Sequence, residues 1–249
     1  FQGKKELFDG LAIEQLETKW EQHPVLHLDL NAKKYETAAD LIAMLNQYLE
    51  KWEAIYGNEK KDRSPEERFS YVIEQASLKT GKGVVVLVDE YDKPLLQAIG
   101  NKELQSAYRN TLKPFYGVLK TMDGYIQFAM LTGVTKFGKV SVFSDLNNLI
   151  DISMDARYVA LCGITGKEIQ DNFEEDLHEL AEAQKMTYEE AKAELKACYD
   201  GYHFVEDSEG IYNPFSLLNT FFKMKFGSYW FETGTPTYLV ELLRRYHYG

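Results

Sequence analysis

Val84-Val85-Val86-Leu87-Val88-Asp89-Glu90-Tyr91-Asp92-Lys93-Pro94 is the stretch from which the rest of the chain is read. The apolar run Val84–Val88 is too short for a helix and too rich in β-branched side chains to favour one. A strand without polar alternation is buried on both faces. That places it in the middle of a parallel sheet, flanked on both sides. The run ends in Asp89 and Glu90. In open α/β folds the carboxyl ends of the strands form the edge where ligands bind. Asp89, Glu90 and Asp92 repel one another, and a nearby cation relieves that repulsion. A hard ion such as Mg²⁺, held mostly through water, suits one carboxylate of such a set and brings phosphate oxygens with it. The neighbouring carboxylate can then orient and deprotonate an attacking water. The competing reading is a strand that ends in a solvated acidic turn.

Short apolar runs alternate with helical patterns on both sides of this strand, which is the order of a parallel α/β sheet. Pro24–Leu30 reads as a strand, and Thr37–Tyr56 as a helix with Leu41, Leu45, Tyr48, Trp52 and Ile55 on one face. Ser64-Pro65-Glu66-Glu67 is a capping box with proline at the first helical position, opening a helix that stops near Gly81. Asn101–Met122 reads as a helix that Pro114 should bend or split. Tyr125–Leu131 is a further strand, and Tyr158–Cys162 is expected to be a fourth buried one. Thr165-Gly166-Lys167-Glu168 caps the helix that follows.

Residues 185–249 hold 15 aromatics in 65 positions, so a boundary is expected near Gln184. Residues 1–184 then form an α/β core and 185–249 a small helical subdomain without a second sheet. Its helices are expected at Thr187–Tyr199, Asn213–Phe226 and Thr237–Tyr246.

The chain has 249 residues and a net charge of −11, so it has no whole-molecule attraction for nucleic acid or anionic membranes. No apolar run approaches the ~18 residues of a membrane span, and the first residues lack a signal-peptide core. A cytoplasmic protein with no membrane partner is expected. Cys162 and Cys198 lie in apolar-periodic contexts and read as buried, reduced thiols. The first residue is Phe1, and the chain is expected to be a piece of a longer polypeptide.

The acidic strand end resembles a Walker B element, which requires a phosphate-cradling G-x-x-x-x-G-K-[ST] loop. The near match Gly133–Val140 has valine where the metal-binding hydroxyl belongs and follows the acidic strand in chain order. It is therefore not read as a phosphate cradle, and these 249 residues alone are expected to bind ATP weakly.

Several further segments make the likeness specific: LTGVTKFGKVSVFSDLNNL from Leu131, RYVALCGIT from Arg157, YDGYHF from Tyr199, and IYNPFSLLNTF with YWFETGTPTYL beyond it. Together with VVVLVDEYDKP they resemble the AAA-ATPase-like family over nearly the whole chain. In that family a P-loop ATPase domain is often followed by a PD-(D/E)xK-type nuclease domain. The resemblance implies a P-loop shortly upstream of Phe1, and a P-loop strand lying between the Walker B and sensor strands. It implies ATP and Mg²⁺ as cofactors, Asp89 as the metal-associated aspartate and Glu90 as the catalytic base. Thr132 and Thr135 occupy the region that senses the γ-phosphate. Lys136 and Arg157 could each face phosphate or form an ordinary ion pair, and Asp200 and His203 of YDGYHF form a shared motif of unknown role. A linked nuclease domain would bring nucleic acid as a partner. The resemblance leaves the oligomeric state open. The alternative is a scaffold with an ATPase-derived fold that binds protein or nucleic acid without turnover.

Overall fold

A computed structural model describes residues 1–134, 141–143, 146–153, 155–202 and 210–229. The chain divides into two compact units, Phe1–Ile150 and Asp151–Gly249. The first contains, in order, α1 (Ala12–Leu16), β1 (Val25–Asp29), α2 (Ala38–Tyr56), α3 (Pro65–Thr80), β2 (Val84–Asp89), α4 (Lys93–Gln97), α5 (Lys102–Thr121) and β3 (Ile126–Leu131). Its sheet has the order β1-β2-β3 with both pairings parallel. β2 is therefore central, with Val84, Val85, Val86 and Val88 buried; Leu87 is only half-buried, so the expected cover on both faces is incomplete.

Local chemistry sets the helix limits. Thr37 and Asp40 form a capping box at the start of α2, and Ser64 and Glu67 form another at α3, with Pro65 in its first turn. Gly81 ends α3 in the left-handed region (φ 65°) that glycine adopts without penalty. Helix α5 runs unbroken through Pro114. The one backbone donor lost there is outweighed by the buried stripe Tyr108, Leu112, Phe115, Tyr116 and Leu119. The expected inward face of α2 holds at Leu41, Leu45 and Trp52, but Ile55 is 65% exposed. Tyr56, one position on, packs against the core in the last turn instead.

Between α2 and α3, Glu53 and Arg68 form a buried ion pair. Arg68 Nε donates to Glu53 Oε1 and Nη2 to Oε2, each at 2.7 Å, while Nη1 donates to Asn46 Oδ1 at 2.6 Å.

The helices gather on one face of the sheet. Leu26, Leu28, Val86 and Val88 join α2, α3 and α5 in a single core. On the opposite face His27 is exposed, Leu87 and Met130 are half-buried and Phe128 is 40% exposed. Phe1 stacks on Phe128 there, with ring centroids 5.4 Å apart. The asymmetry follows from handedness. Both crossovers step in the same direction across the sheet, and right-handed connections then put their helices on the same side.

Two expectations about strands are corrected in this region. The P-loop strand was expected between the Walker B and sensor strands, but β2 and β3 are direct neighbours, with Val85 opposite Phe128 and Val88 opposite Leu131. No slot exists between them. The fourth buried strand at Tyr158–Cys162 is absent. Ala156–Tyr158 is a 3₁₀ turn and Leu161 is 55% exposed, because these residues pair with no sheet.

In the second unit, β4 (Ile164–Thr165), β6 (Ile211–Tyr212) and β5 (Asp200–Tyr202) form a small antiparallel sheet in the order β4-β6-β5. The region beyond Gln184 was expected to be purely helical. The helices are α6 (Gly166–Asn172), α7 (Glu174–Gln184), α8 (Tyr188–Tyr199) and α9 (Pro214–Lys223). Ile169, Leu177 and Leu180, sequence-adjacent to the first unit, share one core with Leu195, Leu217 and Phe221. That shared core is why the units part at Ile150, where the composition shift had pointed to Gln184. The expected helix Thr237–Tyr246 lies outside the described residues. Cys162 and Cys198 are exposed, not buried. Cys162 sits in a turn, and Cys198 lies on the outer side of α8 with its thiol 3.4 Å from Glu194 Oε1. No described helix is long and apolar enough to cross a membrane.

Candidate functional site

The carboxyl ends of the three parallel strands bring Asp29, Asp89 and Thr132 to one edge. Asp29 and Asp89 are register neighbours at the ends of β1 and β2. Thr132 follows β3 and is tied to β2 on both sides. Its N–H donates to Val88 O at 2.9 Å, and its carbonyl accepts from Tyr91 N–H at 2.9 Å. The Thr132 hydroxyl donates to Asp89 Oδ1, which also accepts from Glu90 N–H at 3.1 Å. Asp29 Oδ1 accepts from Asn31 N–H at 2.8 Å. Asp89 itself is exposed to solvent.

Glu90 has a left-handed backbone (φ 54°), a conformation that costs a non-glycine residue about 1–3 kcal/mol. The turn persists because both of its flanks are tied to Thr132. Burial pushes the Glu90 carboxyl above its ordinary range; the charge of Asp92 adds to this, Lys93 opposes it, and Asp89 and Asp29 contribute less. Between the ordinary and the raised values the folded chain binds more protons than the unfolded one, so stability falls as pH rises through that window. Glu90→Gln should therefore raise the melting temperature of the metal-free protein at neutral pH. The gain should vanish at acid pH below the ordinary glutamate range. An equal gain at both pH values would contradict this account of the carboxyl.

Asp92 behaves differently from its two neighbours. It is fully buried and accepts from Val134 N–H at 3.3 Å, so it serves the fold beneath the edge. Tyr116, also fully buried, donates its hydroxyl to Tyr91 O at 2.9 Å. Reading the sequence singled out neither Asp29 nor Tyr116. Asp29 carried a usable signal, an apolar strand closing on an aspartate. Tyr116 carried none, because its partner is set by tertiary packing.

Thr135 and Lys136 lie outside the described residues, as does His203; of the near match Gly133–Val140 only the first two residues are described. Asp200 stands immediately after the last residue of α8 and opens β5. Arg157 is paired with Asp155 at 2.6 Å and holds that carboxyl down at about 2.

The donors at the sheet edge are hard carboxylate oxygens, the type that suits Mg²⁺. Among the described residues no group of three or more His, Cys, Asp or Glu could enclose an ion.

The family model for predicted AAA-ATPases matches residues 1–143. The chain belongs to this family. All of the sheet-edge residues described above fall within the matched region. An uncharacterized protein in the vnfD 5′ region of Azotobacter chroococcum mcd 1 is 42% identical over 246 residues, covering 98% of this chain and 45% of that protein. This chain thus spans less than half the length of that relative. No solved structure matches it.

Proposed function

We propose that the edge formed by Asp89, Glu90 and Thr132 is the water-activating side of an Mg²⁺-dependent ATP-hydrolysing site, in a module that couples turnover to a conformational change. The observation that carries this reading is the pairing of Asp89 with the Thr132 hydroxyl, at the end of the central strand and directly beside Glu90. Asp89 would hold the metal through its water shell, and Mg²⁺ when bound supplies charge stabilisation to the phosphate oxygens. Glu90 orients the attacking water and takes its proton. A raised carboxyl pKa brings that base closer to the working pH. Thr132 sets the orientation of Asp89 and reports the state of the γ-phosphate, with Thr135 assigned to the same region.

The sheet supports a position for the phosphate-binding strand that the resemblance places upstream. Among the described residues β3 pairs only with β2, so its outer edge is open. A strand preceding β1 that joined this edge would cross the sheet in the opposite direction to the other connections. Its right-handed crossover would then lie over the face that carries Phe128 and His27. The change of side would fall beside β3, and in such sheets ligands bind at the carboxyl edge where the direction reverses. Thr132 stands at that point. A nuclease domain elsewhere in the same polypeptide, with nucleic acid reached through it, belongs to this proposal.

Steady-state ATP hydrolysis by the full-length protein across an Mg²⁺ titration tests the reading, and turnover that requires the ion is expected. ATP binding without any hydrolysis, in the presence and absence of DNA or RNA, would favour a non-hydrolysing scaffold instead.

A further inference from the structure

The turn that carries Glu90 is fastened to the segment after β3 by contacts that no motif announces. Asp92 is fully buried, and its Oδ1 accepts the Val134 N–H at 3.3 Å. Gly133 lies so close that a Cβ on it would come within 2.6 Å of Tyr91 Cε1 and 2.7 Å of Asp92 Oδ1. Neither neighbour can move aside cheaply. The Tyr91 ring is buried and packs edge-on against Phe143 at 5.0 Å, and its backbone carbonyl accepts from the buried Tyr116 hydroxyl. With Tyr91 N–H bound to Thr132 O, the stretch 89–92 is held at both ends against 132–134. Glu90 sits between these anchors in its left-handed conformation.

We propose that Asp92 and Gly133 are positioning residues for Glu90. They act through the Asp92–Val134 hydrogen bond and the close approach of Gly133 to Tyr91, and neither touches substrate. This rests on the hydrolytic reading above. A side chain at Gly133 pushes Tyr91 outward and turns the Glu90 carboxylate away from the attacking water. Misplacement of a reacting group by about 1 Å can cost on the order of 10²-fold in rate. Nucleotide affinity, set elsewhere, is left in place.

The test uses the full-length protein and three variants, Gly133→Ala, Asp92→Ala and Asp92→Asn. Gly133→Ala and Asp92→Ala should lower kcat by about 10- to 100-fold, with the KM for ATP within about threefold of the parent. Asp92→Asn keeps an acceptor for the Val134 N–H and should recover most of the rate. Amide hydrogen exchange supplies a readout independent of turnover: Val134 and Tyr91 should lose protection in Asp92→Ala and keep it in Asp92→Asn. Unchanged kcat in both Gly133→Ala and Asp92→Ala, or unchanged protection of Val134 in Asp92→Ala, overturns the proposal while leaving the hydrolytic reading intact. Equal losses in kcat, ATP affinity and melting temperature would show general damage and also overturn it. A parent protein without turnover removes the hydrolytic reading, and the positioning role with it.

Discussion

Glu90→Gln in the full-length protein should retain ATP yet lose turnover by about 10²–10⁴-fold, the usual contribution of a general base. The amide keeps the shape of the side chain and much of its hydrogen bonding but cannot accept the proton of the attacking water. Asp89→Asn should differ in kind. It removes charge from the exposed carboxylate beside the proposed metal position, so the Mg²⁺ needed for half-maximal rate should rise and nucleotide retention should fall. The Thr132 hydroxyl would still find an acceptor in the asparagine, so the change should not spread into the strand. Hydrolysis measured across an Mg²⁺ titration, with ATP binding followed separately, distinguishes the two variants. Parental hydrolysis in Glu90→Gln would place the base elsewhere.

Arg68→Met should be the most damaging single change to the first unit. Glu53 and Arg68 are only 5% and 6% exposed, and both guanidinium–carboxylate bonds are short and parallel. Removing the cation leaves a buried carboxylate without its counter-charge, a loss of about 3–5 kcal/mol. The pair as a whole contributes far less, because desolvation offsets most of its attraction. Glu53→Leu combined with Arg68→Met should therefore recover most of the lost stability. Urea unfolding followed by tryptophan fluorescence would measure this, since Trp52 stacks on Phe69 between the same two helices with centroids 5.7 Å apart. A double variant as unstable as Arg68→Met alone would contradict this account of the pair, in which the loss comes from the unpaired Glu53 carboxylate.

The legibility of this protein varied with the range of the interactions involved. Local patterns were reliable. The apolar run Val84–Val88 had to be a central strand, although its second face is only partly covered at Leu87, and the capping boxes at Ser64 and Thr165 began helices where they stood. Each signal resides in consecutive residues whose partners lie within a turn or a pleat. The same reading failed at Tyr158–Cys162, an apolar run that joins no sheet, because an apolar run does not say whether a neighbouring strand exists to receive it.

Within the site, Asp89 and Glu90 could be read from the sequence because an apolar strand closing on carboxylates is a short-range pattern. The different part played by Asp92 could not. It is three residues beyond Asp89, of the same chemical type, and only the fold turns it inward to meet Val134, 42 positions away. The placement of Thr132 on Asp89 and the neighbour relation of Asp29 and Asp89 likewise depend on how strands are ordered across the sheet. The sequence by itself determined the three parallel strands, the helices α2, α3 and α5 and the acidic end of the central strand, since each is written in neighbouring residues. The tertiary structure alone decided which carboxylates stand exposed at the carboxyl edge of the sheet and which are buried beneath it, because that depends on pairings between segments far apart in the chain.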